Sequence, residues 1–248
     1  EVSEIETIPG AGSNRQYYRL KGIGGSTLIG VVGTSRDENH TFCYLANHFT
    51  KAGLPVPQIV AESKDGLRYL QTDLGNMSLF DALKGGREAG GRYNATEREL
   101  LKKSIAALPA MQILGAHKLD FTQCFPQECL DETNVLFDLN YFKYCFLKPS
   151  GVEFNEVLLQ DDFERLADDL LKEESDTFLY RDFNARNVMI REGKPYFIDF
   201  QGGRRGPVYY DVASFVWQSR ARYPQWLKER MLESYLSALG QYMEVDRI

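Results

Sequence analysis

Of all segments in this 248-residue chain, residues 178–200 constrain the fold most. Two apolar runs within the segment, Val188 to Ile190 and Tyr196 to Ile198, are separated by the turn residues Gly193 and Lys194. Short runs of β-branched and aromatic residues on either side of turn residues are typical of a β-hairpin. The pattern therefore predicts a hairpin with a polar loop before its first strand and a carboxylate at the end of its second.

Three polar side chains keep a fixed order around this hairpin: Asp182, then Asn187 five residues on, then Asp199 twelve residues later. This order suits phosphoryl transfer, in which one carboxylate accepts the proton of the acceptor hydroxyl while an amide oxygen and a second carboxylate hold Mg²⁺. The spacing of the first two residues alone is common by chance, so the hairpin and the third residue supply the specificity. The alternative, a surface hairpin with solvated acidic side chains, explains the ordered set less well.

Composition limits the classes of function. A hydrophobic content of 43% is enough for a core in one large domain or two lobes. A formal net charge of −6 argues against general nucleic-acid binding, which needs a basic surface. No run approaches the roughly 18 apolar residues of a membrane span, and the acidic N-terminus does not resemble a signal peptide. Four cysteines without a Cys-x-x-Cys pair and three scattered histidines form no zinc pattern. We therefore predict a cytoplasmic protein with reduced thiols and with no nucleic-acid or membrane partner.

The chain up to residue 75 is β-rich. A turn dense in Gly, Ser and Asn separates the first two of five predicted strands, at 2–8, 16–21, 26–32, 58–61 and 67–72. Ser35 begins a capping box in which Glu38 is expected to reach back, and apolar residues at helical spacing continue to Gly53. The pattern predicts a small antiparallel sheet with one packed helix.

Beyond Asn76 the chain is predicted to be helical except for the hairpin. The predicted helices run from a capping box at Thr96–Glu99 to Gly115 with a kink at Pro109, over 131–147, from Asp211 onward, and over 226–239. A further helix is predicted around the apolar residues Phe163, Leu166, Ala167 and Leu170. The aromatic side chains of residues 131–147 are expected to pack in the core. The predicted fold class is α+β, with a β-rich lobe at 1–75, an α-rich lobe at 76–248 and a ligand cleft between them.

Six segments resemble the aminoglycoside phosphotransferase and choline kinase family, which shares the two-lobed protein-kinase fold. They are residues 12–20, 53–59, 73–75, 181–189, 198–201 and 205–214, and the fourth and fifth are the most specific. Within the family, the chain is most similar to bacterial kinases that phosphorylate the 1-hydroxyl of N-acetylmuramate and N-acetylglucosamine in cell-wall recycling. The resemblance implies ATP and Mg²⁺ as cofactors, a sugar as acceptor, a nucleotide-binding first lobe and a catalytic second lobe.

Carried over by position, the resemblance implies that Asp182 is the catalytic base and that Asn187 and Asp199 are Mg²⁺ ligands. Asp211 corresponds to the family's buried aspartate, which bonds the backbone of the catalytic loop; helix N-capping is an alternative and compatible role. The implied nucleotide-binding residues are Gly10, Gly12, Ser13, Asn14, Arg15, Gln71, Thr72 and Asp73.

Candidates for binding the acceptor lie near the predicted reacting centre. They are Arg181, Arg186, Gln201 and Arg204. An acidic sugar could engage an arginine fork here, whereas the alternative for Arg204 and Arg205 is a solvated turn.

The chain departs from the family in three ways. Tyr180 stands where many relatives have His, and the third strand, Ile29 to Gly33, has no lysine to pair with Glu38 and the nucleotide phosphates. Arg15 or Arg19 can supply the missing charge, although simple solvation on the strand surface is the alternative for Arg19. Only 37 residues follow the last motif aspartate, so we expect a fragment or one lobe of a longer fused polypeptide.

Three classes of function remain. A pseudokinase module is favoured by the missing lysine and by Tyr180, but such a module has no chemical reason to keep Asp182, Asn187 and Asp199. A protein kinase is disfavoured, because no Ala-Pro-Glu segment follows and only eleven residues separate Asp199 from Asp211. The sequence thus predicts a small-molecule kinase.

Overall fold

The computed structural model describes residues 1–9, 14–172 and 176–245. Its amino-terminal part is a five-stranded antiparallel sheet in the spatial order β1-β2-β3-β5-β4. The strands are β1 (Val2–Ile8), β2 (Gln16–Gly22), β3 (Thr27–Val32), β4 (Ile59–Glu62) and β5 (Arg68–Thr72). The five predicted strands are confirmed to within one residue at each end.

Helix α1 (Arg36–Lys51) connects β3 to β4. Ser35 Oγ accepts the backbone N–H of Glu38 at 3.3 Å, which satisfies one of the free donors at the helix start. The reciprocal half of the predicted capping box is wrong. The Glu38 carboxylate instead accepts a hydrogen bond from Arg15, because a charged partner from the sheet competes for it.

Aromatic rings join the sheet lobe to the helical lobe. The ring of Phe42 on α1 stacks on Tyr69 at 5.2 Å and on Phe200 at 4.8 Å. Phe49, also on α1, meets Phe178 and Phe200 edge to face at 5.0 and 5.3 Å. All five rings are buried, so the two lobes share one hydrophobic core around the segment that carries the hairpin.

The second lobe is mainly helical. Its helices are α2 (Leu79–Ala82), α3 (Lys84–Glu88), α4 (Ala95–Ile113), α5 (Glu132–Phe142), α6 (Glu156–Leu170), α7 (Val208–Val216) and α8 (Gln225–Leu239). Four short strands interrupt them: β6 (Phe178–Leu179), β7 (Val188–Arg191), β8 (Lys194–Phe197) and β9 (Arg204–Arg205). The predicted α+β class with a sheet lobe and a helical lobe is confirmed.

Helix α4 begins earlier than predicted. Asn94, not Thr96, is the N-cap: its Oδ1 accepts the N–H of Glu97 at 3.0 Å, and the Glu97 carboxylate accepts the N–H of Asn94 at 2.8 Å. Glu97 is buried and also accepts the N–H of Gly86 at 2.7 Å. This tertiary contact selects the Asn94–Glu97 pair over the equally plausible pair two residues later.

Helix α5 overturns the expectation that its aromatic residues lie in the core. Phe137 and Tyr141 of α5 are 68 and 65% exposed, and Phe146, in the π-helical segment Lys143–Leu147 that follows, is 62% exposed. The helix buries a different stripe, in which Val135 and Leu139 pack with Ala167 of α6. Apolar periodicity marks more than one face of this helix, so the sequence pattern did not identify the face that packs.

Strands β7 and β8 form the predicted hairpin, with Arg191 paired to Lys194. The two turn residues are Glu192 and Gly193, both with positive φ, of 53° and 72°. Positive φ at both central positions defines the turn that fits the twist of a two-residue hairpin. The predicted turn at Gly193 and Lys194 is therefore displaced by one residue.

Candidate active site

A cleft of about 540 Å³ separates the sheet from the hairpin. Side chains alternate along a strand, so β2 and the residue before it direct Arg15, Tyr17 and Arg19 to the same side. Lining residues from the sheet lobe are Arg15, Tyr17, Arg19, Gln71, Thr72 and Asp73, and those from the helical lobe include Asp182, Asn184, Arg186, Asn187, Met189 and Asp199.

The three motif residues meet at one end of this cleft. The amide nitrogen of Asn187 donates to the backbone carbonyl of Asp182 at 2.8 Å and to Asp199 Oδ2 at 3.3 Å. Because the nitrogen faces these two acceptors, the amide oxygen of Asn187 remains available as a ligand. Asp199 also has a left-handed backbone, with φ +66°, a conformation that is costly for a non-glycine residue and concentrates at functional sites.

Asp182 opens onto the cleft at the start of the polar loop formed by residues 180–187. The cleft walls remove water from its carboxyl group and raise its pKa, and repulsion from Asp199 adds to the shift. The positive charges of Arg181 and Arg204 act in the opposite direction. A raised pKa makes a carboxylate a better proton acceptor.

Asp211 accepts hydrogen bonds from the backbone at the start of the polar loop. It is completely buried in α7, where its Oδ2 and Oδ1 accept the backbone N–H groups of Tyr180 and Arg181, each at 2.9 Å. Gln112 donates to Oδ2 at 3.2 Å. Burial raises the pKa of Asp211 to about 6 in spite of these bonds. Asp211 is the fourth residue of α7, so the alternative role as N-cap is wrong.

Tyr180, at the position where many relatives have His, is also completely buried. Its hydroxyl donates to the backbone carbonyl of Ile198 and lies 3.5 Å from the carbonyl of Asn187. The side chain therefore ties the polar loop to the residue that precedes Asp199. This is a packing and hydrogen-bonding role that an aromatic residue can fill.

The structure distinguishes the two candidate arginines of the sheet lobe. Arg15 is only 4% exposed. Its Nη2 lies 3.3 Å from the Glu38 carboxylate and its Nη1 lies 4.0 Å from Asp199 Oδ1. Arg15, the residue before β2, thus pairs with α1 and lies close to Asp199. In kinases, a lysine on β3 makes the corresponding ion pair with a glutamate of the helix.

Arg19 forms a fork-shaped pair with Asp73, with Nε and Nη2 at 2.6 and 3.1 Å from the two carboxylate oxygens. It is 8% exposed, so the solvated alternative for Arg19 is wrong. The pair fixes the segment after β5, and Gly75 N–H donates to the same carboxylate at 2.9 Å. The carboxylate of Asp73 therefore stabilises this segment through its bonds to Arg19 and Gly75. Gln71 and Thr72 line the cleft next to it.

The predicted nucleotide loop is described in part. Gly10, Gly12 and Ser13 lie outside the described residues. Asn14 is exposed and lies outside the cleft lining, whereas Arg15 lies within it.

Of the four candidates for acceptor binding, only Arg186 lines the cleft. Arg181 pairs with Asp138 of α5 at 2.9 Å, and Gln201 donates to Asp199 Oδ1 at 2.9 Å. Arg204 is 4% exposed and donates to Asn134 of α5 and to the carbonyl of Gly202. The solvated-turn alternative is therefore wrong for Arg204.

Sequence reasoning missed the contribution of α5. Asp138 and Asn134 lie one turn apart on one side of the helix and bond the arginines that flank Asp182. Their signal was hidden because both residues occur within an aromatic-rich helix without a motif. They give the helical lobe a polar wall next to the proposed reacting centre.

A comparison with protein-family models identifies the family of the chain. The family model for the phosphotransferase enzyme family matches residues 4–247, and the chain belongs to that family. This confirms the resemblance drawn from the sequence segments. In the part of the chain that the structure describes, no helix combines the length and apolar character needed to cross a membrane.

The chain is similar to proteins named N-acetylmuramate/N-acetylglucosamine kinase. That of Pseudomonas aeruginosa is 29% identical over 231 residues, covering 91% of this chain and 63% of the relative. That of Neisseria meningitidis serogroup B is 26% identical over 223 residues, covering 88% and 62%. The chain thus spans less than two thirds of the length of these two curated relatives.

Solved structures show the same fold at low sequence identity. A streptomycin–ATP complex of APH(2″)-IIa has a TM-score of 0.65 and 13% identity, covering 97% of this chain and 83% of the other. Amicoumacin kinase hAmiN with AMP-PNP and Ca²⁺ has a TM-score of 0.69 and 11% identity, covering 97% and 73%. Choline kinase from Cryptosporidium parvum has a TM-score of 0.64 and 13% identity, covering 96% and 73%.

Proposed function

We propose that this protein is an ATP- and Mg²⁺-dependent kinase that transfers the γ-phosphoryl group to a sugar, at the anomeric hydroxyl of an amino sugar. The observation that carries the proposal is the convergence of Asp182, Asn187, Asp199 and Arg15 on one cleft. This set contains a base, two oxygen ligands and a cation, which are the parts that phosphoryl transfer requires. The cytoplasmic location predicted from the sequence belongs to this proposal, because ATP is kept there.

The donor atoms fit Mg²⁺. The Asp199 carboxylate and the Asn187 amide oxygen would hold the ion, and both are hard oxygen ligands. Among the described residues, no group of three or more His, Cys, Asp or Glu side chains could bind a metal by itself. A site with few protein ligands suits Mg²⁺, which keeps waters and phosphate oxygens in its coordination shell. When bound, the ion neutralises charge on the nucleotide phosphates.

The protein's own residues would then position the reactants. Asp182 accepts the proton of the acceptor hydroxyl, and its raised pKa improves it for this task. Arg15 supplies positive charge to the phosphates from a buried, preorganised position, which strengthens its electrostatic effect. Asp211 fixes the backbone from which Asp182 projects.

The acceptor assignment has two supports. The curated relatives carry the name of kinases for N-acetylated amino sugars. In addition, an anomeric hydroxyl is more acidic than an ordinary alcohol, because the ring oxygen withdraws charge from the developing alkoxide. A site that transfers to it needs less stabilisation of negative charge, which is compatible with a third strand that lacks lysine.

A pseudokinase module is the second candidate, and the geometry disfavours it. The missing lysine is one argument for it, but Arg15, which pairs with Glu38, supplies a cation in the same cleft. Tyr180 is accounted for by its buried bond to Ile198. Because the curated relatives are longer, an extension of the chain or a fusion partner remains a prediction.

The proposal is tested by adding ATP, Mg²⁺ and a panel of free sugars to the purified chain and measuring ADP release. We expect turnover with N-acetylated amino sugars ahead of plain hexoses. Methyl glycosides, which block only the anomeric hydroxyl, should be inert. Equal rates with methyl glycosides and free sugars would disprove the anomeric assignment, and ADP release that no sugar stimulates would disprove the sugar acceptor.

A further inference from the structure

Arg186 differs from the other arginines of the site. It lies between Asp182 and Asn187 in the polar loop and lines the cleft. Arg15, Arg19 and Arg181 are paired with Glu38, Asp73 and Asp138. Within the described residues, no carboxylate lies within ion-pair distance of Arg186. Its charge is therefore not neutralised by the protein where it faces the cleft.

A ring rather than an acid holds this guanidinium. The central carbon of the Arg186 guanidinium lies 5.0 Å from the centroid of Phe80, the second residue of α2. A cation over an aromatic face is attracted to it without losing its charge. Such a contact can orient Arg186 and still leave its N–H groups and its charge available for an anion.

Phe80 is itself fixed relative to the polar loop. Its backbone N–H donates to the carbonyl of Ala185, the residue before Arg186, at 2.9 Å. The N–H of Ile190 on β7 donates to the carbonyl of Met77 at 2.8 Å, just before α2. These bonds connect the two sides of the loop to the segment that carries the ring. A second guanidinium, that of Arg87, lies 3.6 Å from the ring centroid, but Arg87 is outside the cleft lining.

We propose that Arg186 binds the γ-phosphoryl group of the nucleotide and that Phe80 is the positioning residue that holds Arg186 toward it. This inference rests on the proposed kinase function and assigns Arg186 to the transferred group rather than to the acceptor. Arg186 lines the same cleft as Asp182 and Asn187, and a phosphoryl group in transfer must lie near both the base and the metal ligand.

The test compares ATP and ADP affinity in the presence of Mg²⁺ by calorimetry, which needs no acceptor. Arg186→Met should weaken ATP binding about tenfold or more, the usual effect of losing a charge-assisted hydrogen bond, and leave ADP binding within about twofold. Phe80→Leu, which keeps apolar volume but removes the ring, should shift ATP affinity in the same direction by about threefold. Phe80→Tyr, which keeps an aromatic ring at this position, should bind ATP as the wild-type protein does.

A double-mutant cycle separates positioning from packing. If Phe80 acts through Arg186, Phe80→Leu should add no further loss of ATP affinity to Arg186→Met. Arg87→Met is the matched control on the same ring and should preserve the ratio of ATP to ADP affinity. Additive losses, equal losses for ATP and ADP in Arg186→Met, or an effect of Arg87→Met as large as that of Arg186→Met would overturn the inference.

Different results would refute the kinase function, the sugar acceptor and the role of Arg186. Wild-type protein that does not bind MgATP would refute the proposed function and this inference with it. Wild-type protein that binds MgATP but phosphorylates no sugar would refute the acceptor alone, and the variants would still decide the role of Arg186.

Discussion

Replacing Arg15 by Met should lower kcat/KM strongly and lower the free energy of unfolding only slightly. The guanidinium is buried and its Nη1 lies 4.0 Å from Asp199. Two unit charges about 4 Å apart interact by about 4 kcal/mol at an effective dielectric constant of 20. A phosphate charge at a similar distance from Arg15 would be attracted by about this much before screening. Screening by solvent and by the metal leaves about 2–3 kcal/mol, which corresponds to a loss of about 10²-fold in kcat/KM.

The loss of stability should be much smaller. The Glu38 side chain is 46% exposed, so its carboxylate can regain water when Arg15 is removed. The pair then behaves more like a surface ion pair, worth about 1 kcal/mol or less, than like a buried one. Arg15→Lys should recover part of the activity, because an ammonium keeps the charge but lacks the fork that reaches Glu38 and the phosphates together.

Steady-state kinetics with MgATP, together with urea unfolding of each variant, provide the assay. Arg68→Met is the matched control, because Arg68 pairs with Asp65 on the exposed end of β5 and should change neither kcat/KM nor stability measurably. Activity of Arg15→Met within about threefold of wild type would refute the view that Arg15 replaces the lysine. A loss of activity explained entirely by unfolding would refute it as well.

Three further predictions concern the aspartates. Asp182→Asn should lower kcat by about 10²-fold or more, the usual contribution of a general base, with little change in the nucleotide Kd measured by calorimetry. Asp199→Ala should weaken ATP binding strongly in the presence of Mg²⁺ and slightly in its absence, because the main anionic metal ligand is lost. Asp211→Asn should lower the free energy of unfolding by about 1–3 kcal/mol, because an amide cannot accept both backbone N–H groups as the two carboxylate oxygens do. The pKa of Asp211 is raised to about 6 in the folded state, so its proton favours folding. The free energy of unfolding that this proton adds in the wild-type protein should therefore decrease as the pH rises from about 4 to about 6. The unfolding free energy of Asp211→Asn should not show this decrease.

For each aspartate variant, one result would contradict the expected role of the residue. Near-normal turnover of Asp182→Asn would mean that another group is the base. An unchanged response to Mg²⁺ in Asp199→Ala would remove it from the metal site. Urea unfolding curves of Asp211→Asn that match wild type at pH 5 and pH 8 would show that the two backbone hydrogen bonds do not stabilise the loop.

Features of the fold that depend on local pattern could be predicted from the amino-acid sequence. Runs of β-forming residues between turn residues located the five strands of the sheet lobe, and the order of Asp182, Asn187 and Asp199 around two apolar runs indicated the hairpin and its polar loop. Ser35 was recognisable as the cap of α1 because its bond to Glu38 N–H spans three residues. These signals are local, since each depends on residues that are neighbours in the chain or one hairpin apart.

Which side chains act together became clear from the contacts between distant segments of the chain. Arg15, just before β2, and Arg19, within β2, lie on the same face of the sheet and have no local signal that separates them. Their roles follow from partners 23 and 54 residues away, Glu38 and Asp73. In the same way, α5 carries apolar residues on several faces, and only its packing against α6 exposes Phe137 and leaves Asp138 beside Arg181. Sequence pattern records the periodicity of a helix or strand, but the charge and surface that meet each face come from segments distant in the chain.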